Sequence, residues 1–123
     1  MSYAWVIAGA IIGAPLRYFV GSRIQAAEWG AFPYGTFVVN VTGCLVIGFI
    51  LGLAESRDAI SREARLFLVT GVLGSYTTFS AFGWETMDLL RAGDVAKAML
   101  YAGGSVMLGI LAAWAGLSLA KLA

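Results

Sequence analysis

Gly71-Val72-Leu73-Gly74-Ser75-Tyr76-Thr77-Thr78-Phe79-Ser80-Ala81-Phe82 lies inside a run with no charged residue from Leu66 to Trp84. Such a run is long enough to enter a bilayer, whose hydrocarbon core of about 30 Å takes about 20 apolar residues per helix. Its centre, however, is glycine, hydroxyl and aromatic ring. A hydroxyl at membrane depth costs free energy unless a partner satisfies it. So dense a cluster fits a helix broken inside the membrane, lining a polar path or holding an ion. Transport is the function class to which it points.

Composition agrees. The chain has 123 residues, 60% of them hydrophobic and 12% charged, where an ordinary soluble domain carries about 25% charged residues. Mean hydropathy is +0.85. This composition predicts an all-α integral membrane protein forming one domain over residues 1–123. A net charge of +1 gives no case for nucleic-acid binding. There is no histidine, and the one cysteine, Cys44, sits in an apolar run. It fits no zinc or haem spacing and reads as a free core thiol. The first residues, Met1-Ser2-Tyr3-Ala4-Trp5, lack the basic start of a signal peptide, so the first apolar run is expected to persist as a span.

The uncharged runs Met1–Leu16, Ala31–Ala54, Leu66–Trp84 and Ala98–Ala120 predict helices near Tyr3–Val20, Tyr34–Leu53, Leu66–Leu90 and Val95–Ala120. The connections Gly21–Pro33, Ala54–Arg65 and Arg91–Asp94 all carry charge, Gly or Pro. Four spans put both termini on one side. That side holds Arg57, Arg62, Arg65 and Lys121; the other holds Arg17, Arg23, Arg91 and Lys97. The positive-inside rule therefore sets no orientation. Either the chain inserts both ways and pairs as an antiparallel dimer, or a small protein balances by chance. Helix packing in lipid uses small residues, and Gly9-x-x-x-Gly13, Gly48-x-x-x-Gly52 and Ala112-x-x-x-Gly116 supply them. They favour tight helix packing and an oligomer.

Several residues can carry the chemistry, each with a plainer alternative. Gly71 and Gly74 weaken the third helix, and an unwound membrane helix frees carbonyls that suit a hard cation such as sodium. The alternative is a kink in which the hydroxyls of Ser75, Thr77 and Thr78 bond the preceding turn. Phe79 and Phe82, three apart, share a helix face. They either pack or present their positively polarised rims to an anion, with Ser80 as a hydrogen-bond donor between them. Asn40, deep in the second span, either donates to an anion or ties helices together. Thr36 and Thr42 are further donors. Arg17 either concentrates anions in a wet vestibule or snorkels to headgroups.

No acidic or basic residue lies mid-membrane in the first, second or fourth helix, and Glu85 and Asp88 fall towards the end of the third. A proton-coupled multidrug exporter, the leading alternative, would need a buried carboxylate in helix one. No base–nucleophile pair or metal cluster is present to make an enzyme. Donors without fixed charge fit passive anion movement. Asn, Ser and Thr also accept hydrogen bonds, so these residues alone leave the sign of the ion open.

Two segments resemble the Fluc (CrcB) family of fluoride channels. Pro33-Tyr-Gly-Thr36-Phe-Val-Val-Asn40-Val-Thr-Gly43 is similar to the family's G-T-x-x-V-N pattern. Gly71 to Phe82 is similar to its G-x-x-G-G-x-T-T-F-S-x-F pattern. Gly13-Ala-Pro-Leu-Arg17-Tyr looks like the family's helix-one segment. Order, spacing and the four-span layout match over nearly the whole chain.

The resemblance implies a dual-topology antiparallel homodimer with two pores, in a prokaryotic plasma membrane. It would pass fluoride down its gradient, reject chloride and keep cytoplasmic fluoride low. By motif position, Phe79 and Phe82 are the pore phenylalanines, Asn40 the pore amide, and Arg17 a vestibule residue. Ser80 and Thr78 offer hydroxyls to fluoride. Gly74 and Thr77 give backbone carbonyls to a central structural sodium ion that is not transported. Glu85 falls where the family often has a glutamate near the pore end. Two positions depart: the family's Gly-Gly pair is Gly74-Ser75, and a hydroxyl track on helix four keeps Ser105 but has Gly109 one turn later, with Tyr101 one turn before.

Overall fold

The computed structural model describes residues 1–27 and 30–123. Its regular elements are all helical. Four stretches are long and apolar enough to cross a membrane. They are α1 (Ser2–Ala27), α2 (Tyr34–Arg57), a third span over Arg62–Arg91, and a last helix over Val95–Leu122. The third span is composite. It comprises α3 (Arg62–Arg65), a π-helical segment Leu66–Leu73, α4 (Gly74–Tyr76) and α5 (Phe79–Arg91); the last helix is α6. The four-span, all-helical expectation holds.

The helix ends differ from expectation by four residues or more in three places, one of them the end of α2, which runs to Arg57 rather than Leu53. α1 continues through Gly21–Ala27, where the sequence predicts a loop. No proline interrupts residues 16–32, and Gln25 adds a local tie. Its Nε2 donates to the Phe32 carbonyl at 3.2 Å and its Oε1 accepts from the Gly35 amide at 3.1 Å. Gly30 lies at φ 101°, a left-handed conformation open to glycine. The third span starts at Arg62 rather than Leu66. Ser61 caps it by accepting from the Ala64 amide at 3.1 Å, and Glu63 in the first turn complements the helix dipole.

Gly71 and Gly74 do not end the helix. It passes through both and stops at Thr77 (φ −82°, ψ 158°) and Thr78 (φ −148°, ψ 118°), whose backbones are extended. Gly71 serves packing instead. A methyl on Gly71 would meet the Gly9 Cα and the Val6 carbonyl at 2.8 Å. A methyl on Gly9 would overlap the Phe67 carbonyl, and one on Gly13 would overlap the Val72 carbonyl and the Ser75 hydroxyl. The first glycine motif thus seats α1 on the third span. On the other side of the protomer, Gly48 faces the Ala113 carbonyl, Gly52 faces Ala120, and Gly116 faces the Leu45 carbonyl. The other two motifs therefore pack α2 against α6. Backbone meeting backbone is how helices associate where lipid removes the hydrophobic drive between them.

Few large side chains are buried. One cluster is Val39, Leu73 and Tyr76; another is Leu89, Ala98 and Tyr101 with Phe82 and Phe37 against it. Ile7, Ile11, Met99, Leu100, Ile110 and Trp114 are exposed on the protomer surface, as lipid-facing side chains should be.

Candidate functional site

The site is built where α2 meets the extended pair Thr77–Thr78. Asn40 lies on α2 one turn after Thr36, and its carboxamide engages Thr78 at both ends. Nδ2 donates to the Thr78 carbonyl at 3.0 Å, and Oδ1 accepts from the Thr78 amide at 2.8 Å. One N–H and one oxygen lone pair of the carboxamide remain for another partner. The side chains around it close the seam. A Cβ on Gly43 would overlap the Thr77 methyl, and the Thr42 hydroxyl lies 3.0 Å from the Tyr76 hydroxyl.

The hydroxyls of the cluster divide into two sets. Ser75 Oγ donates to the Gly71 carbonyl at 2.7 Å and Thr77 Oγ1 to the Leu73 carbonyl at 3.0 Å. These two satisfy the preceding turn, as the plainer sequence reading proposes for them. Thr78 Oγ1 instead faces forward. It caps α5 by accepting from the Ala81 amide at 3.2 Å and lies 3.4 Å from Ser80 Oγ. Among the described residues, no backbone N–H donates to the Gly74 or Thr77 carbonyl across the interruption. In an unbroken helix those carbonyls would accept from Thr78 N and Ala81 N.

Two cavities flank this seam. One, of about 360 Å³, is lined by Asn40, Gly74, Thr77, Thr78, Phe79, Phe82 and Ser105, with Cys44 on its wall. The Ser105 hydroxyl is buried without a hydrogen-bond partner. The other cavity, of about 350 Å³, is lined by Arg17, Ser22, Thr36, Thr78 and Ala81. Thr78 borders both. Arg17 takes no part in the two ion pairs found among the described residues, Arg91–Asp88 and Lys97–Asp94. Phe79 and Phe82 lie with ring centroids 5.8 Å apart at 44°. Phe82 packs on Tyr101 at 5.2 Å, whereas Phe79 is 84% exposed.

Of the residues singled out from sequence, one cavity gathers Asn40, Thr78, Phe79, Phe82, Gly74 and Thr77. Arg17 lies in the other, and the exposed Ser80 joins through Thr78. Sequence reasoning names Thr36, Glu85 and Tyr101 separately and misses that they form one network. Thr36 Oγ1 donates to Glu85 Oε1 and Tyr101 OH to Glu85 Oε2, both at 2.7 Å. A carboxylate inside an apolar span needs partners, and that need is the available signal. Gly109 lies on the same α6 face as Tyr101 and Ser105. A Cβ added at Gly109 would lie 3.3 Å from Cys44 Sγ, so the α2 thiol packs against α6 at this turn.

A family model described as "CrcB-like protein, Camphor Resistance (CrcB)" matches residues 4–117. This chain belongs to the CrcB family. Among curated relatives, "Fluoride-specific ion channel FluC" of Acidobacterium capsulatum is 45% identical over 117 residues, covering 95% of this chain and 94% of that protein. A protein of the same name from Thermus thermophilus is 46% identical over 114 residues, covering 93% and 89%. That from Flavobacterium psychrophilum is 43% identical over 117 residues, covering 95% and 94%. CrcB membership accounts for the paired motifs on α2 and the third span, which converge on the Asn40–Thr78 seam.

Proposed function

We propose that this chain is a fluoride-selective channel that lets fluoride leave the cytoplasm passively and so limits its toxicity. The observation that carries the reading is the convergence of uncharged polar residues and two phenylalanines on one cavity. Asn40, Thr78, Ser105, Phe79 and Phe82 line it, and the relatives named above are called fluoride-specific channels. Fluoride is small and holds its water tightly. A path for it must replace that water with several donors in a narrow space. The free N–H of Asn40, the hydroxyls of Thr78, Ser80 and Ser105, and the rims of Phe79 and Phe82 are such donors. None carries a formal positive charge that would trap the ion. Chloride is larger and less strongly hydrated, so it gains less from this set. Arg17, bordering the second cavity, raises the local anion concentration.

The working unit in this reading is an antiparallel homodimer of the single domain 1–123, inserted in both orientations in the plasma membrane of a prokaryote. The even split of basic residues and the exposed Phe79 beside an open cavity support it. A structural sodium ion, not transported, would be held by the backbone carbonyls of Gly74 and Thr77. The donor set fits it: Gly74 and Thr77 line the cavity, their carbonyls accept no backbone N–H among the described residues, and carbonyl oxygens suit a hard cation. Bound there, sodium would neutralise the carbonyl dipoles and hold the interrupted segments in place.

The test is anion efflux from liposomes holding the purified protein, read with fluoride and chloride electrodes in sodium-containing buffer. Fast fluoride release with negligible chloride release is expected. A folded protein that releases neither ion, or both equally, overturns the reading.

A further inference from the structure

We infer that Asn40 and Thr78 are positioning residues for the cation site, their side-chain oxygens diverting the two backbone N–H groups that would otherwise close the helix over the Gly74 and Thr77 carbonyls. The inference rests on the structural-sodium reading above and explains how this chain keeps that site open.

An α-helix pairs each N–H with the carbonyl four residues earlier. Gly74 would therefore pair with Thr78, and Thr77 with Ala81. Each of those two N–H groups has another acceptor. The Thr78 amide lies 2.8 Å from Asn40 Oδ1, and the Ala81 amide lies 3.2 Å from Thr78 Oγ1. The Thr77 amide donates back to the Leu73 carbonyl at 3.0 Å, so it does not compete for Gly74 either. The two diverted donors thus match the carbonyls of Gly74 and Thr77, two residues that line the cavity.

Asn40 also engages Thr78 at a second point. Its Nδ2 donates to the Thr78 carbonyl at 3.0 Å, while the Oδ1 acceptor is what keeps the Thr78 amide away from Gly74. Serine at position 75 does not disturb this arrangement, because its hydroxyl bonds the Gly71 and Val72 carbonyls on the preceding turn. In a continuous helix the Gly74 and Thr77 oxygens would be satisfied and would offer little to a cation. Held as here, they stay unpaired in a partly apolar setting, where an unmet carbonyl is costly and a cation relieves the cost.

Substitutions that keep or remove each acceptor separate this role from simple packing. Asn40→Asp keeps an oxygen facing the Thr78 amide; Asn40→Leu removes it. Thr78→Ser keeps the capping oxygen; Thr78→Val removes it at nearly unchanged shape. The measurement is thermal unfolding of the purified full-length protein across a sodium chloride series, with N-methyl-D-glucamine chloride holding ionic strength constant. The wild type, Thr78→Ser and Asn40→Asp are expected to gain sodium-specific stability, with half-effect concentrations at or below the wild-type value. Asn40→Leu and Thr78→Val are expected to need at least tenfold more sodium. Thr78→Val carries the test alone if Asn40→Leu cannot be recovered folded. Equal sodium responses in wild type and Thr78→Val overturn the inference while leaving the sodium site standing. Loss of the response in Asn40→Asp or Thr78→Ser also overturns it. A wild type without any sodium-specific response removes the sodium reading and this inference together.

Discussion

The hydroxyl of Tyr101 on α6 donates to Glu85 on α5 at 2.7 Å, and Tyr101 is fully buried. With Thr36 donating to the other carboxylate oxygen, the bond joins three spans through one acidic group. Removing one donor leaves a carboxylate oxygen without its partner inside the protein, at a cost of about 1–3 kcal/mol. Tyr101→Phe is therefore expected to lower the unfolding temperature while keeping the ring against Phe82 and Phe32. Thermal unfolding in detergent checks this. An unchanged midpoint would mean that water replaces the hydroxyl.

A second prediction concerns helix seating. Gly9 meets the third span backbone to backbone, so a side chain there must push α1 away from Phe67 and Gly71. Overpacking of this kind costs about 1–3 kcal/mol or more. Gly9→Val is expected to lose most folded protein. Gly83 on α5 has nothing within 4 Å of a Cβ position, and Gly83→Ala is expected to be neutral or to gain up to about 1 kcal/mol from helix propensity. Yield of monodisperse protein by size-exclusion chromatography distinguishes them; equal yields would reject the seating argument.

The four spans are legible in the sequence because bilayer thickness writes itself into the length of uncharged runs. The Thr77–Phe82 cluster is legible because hydroxyls at that depth demand a reason. Other features leave no such trace. α1 runs past its apolar stretch into Gly21–Ala27, where hydropathy says nothing about helix. The π-helical register of Leu66–Leu73 has no compositional mark, since the same residues suit an α-helix. Gly71 and Gly74 look like helix breakers, yet Gly71 makes room for Gly9. Asn40 and Thr78 stand 38 positions apart, so no local spacing could show that the carboxamide grips one backbone residue at both ends. Thr36, Glu85 and Tyr101 are joined in the same way by tertiary packing alone.

The aromatic pair separates by environment, and the two rings should respond differently. Phe82 packs on Tyr101, while Phe79 is largely uncovered on the protomer. Phe82→Ile keeps an apolar side chain and removes the polarised rim. Fluoride flux is expected to fall about tenfold, the rate effect of losing roughly 1.4 kcal/mol, with folding retained. Phe79→Ile should lower flux as well, with little effect on the stability of a protomer that barely covers this ring. Liposome efflux and thermal unfolding on the same preparations check both claims. Normal flux in Phe82→Ile would reject the ring-edge role.

Asn40→Asp brings the two proposed roles of this residue apart. Aspartate retains an oxygen for the Thr78 amide, so the extended backbone at Thr78 persists. It loses the N–H groups and places a negative charge beside the path. Two like charges about 4 Å apart repel by about 4 kcal/mol at an effective dielectric near 20. Fluoride flux is accordingly expected to drop by roughly a thousandfold. The variant should nonetheless fold and answer to sodium as the wild type does. Flux near the wild-type level would remove Asn40 from the ion path and leave it only as the residue that holds Thr78.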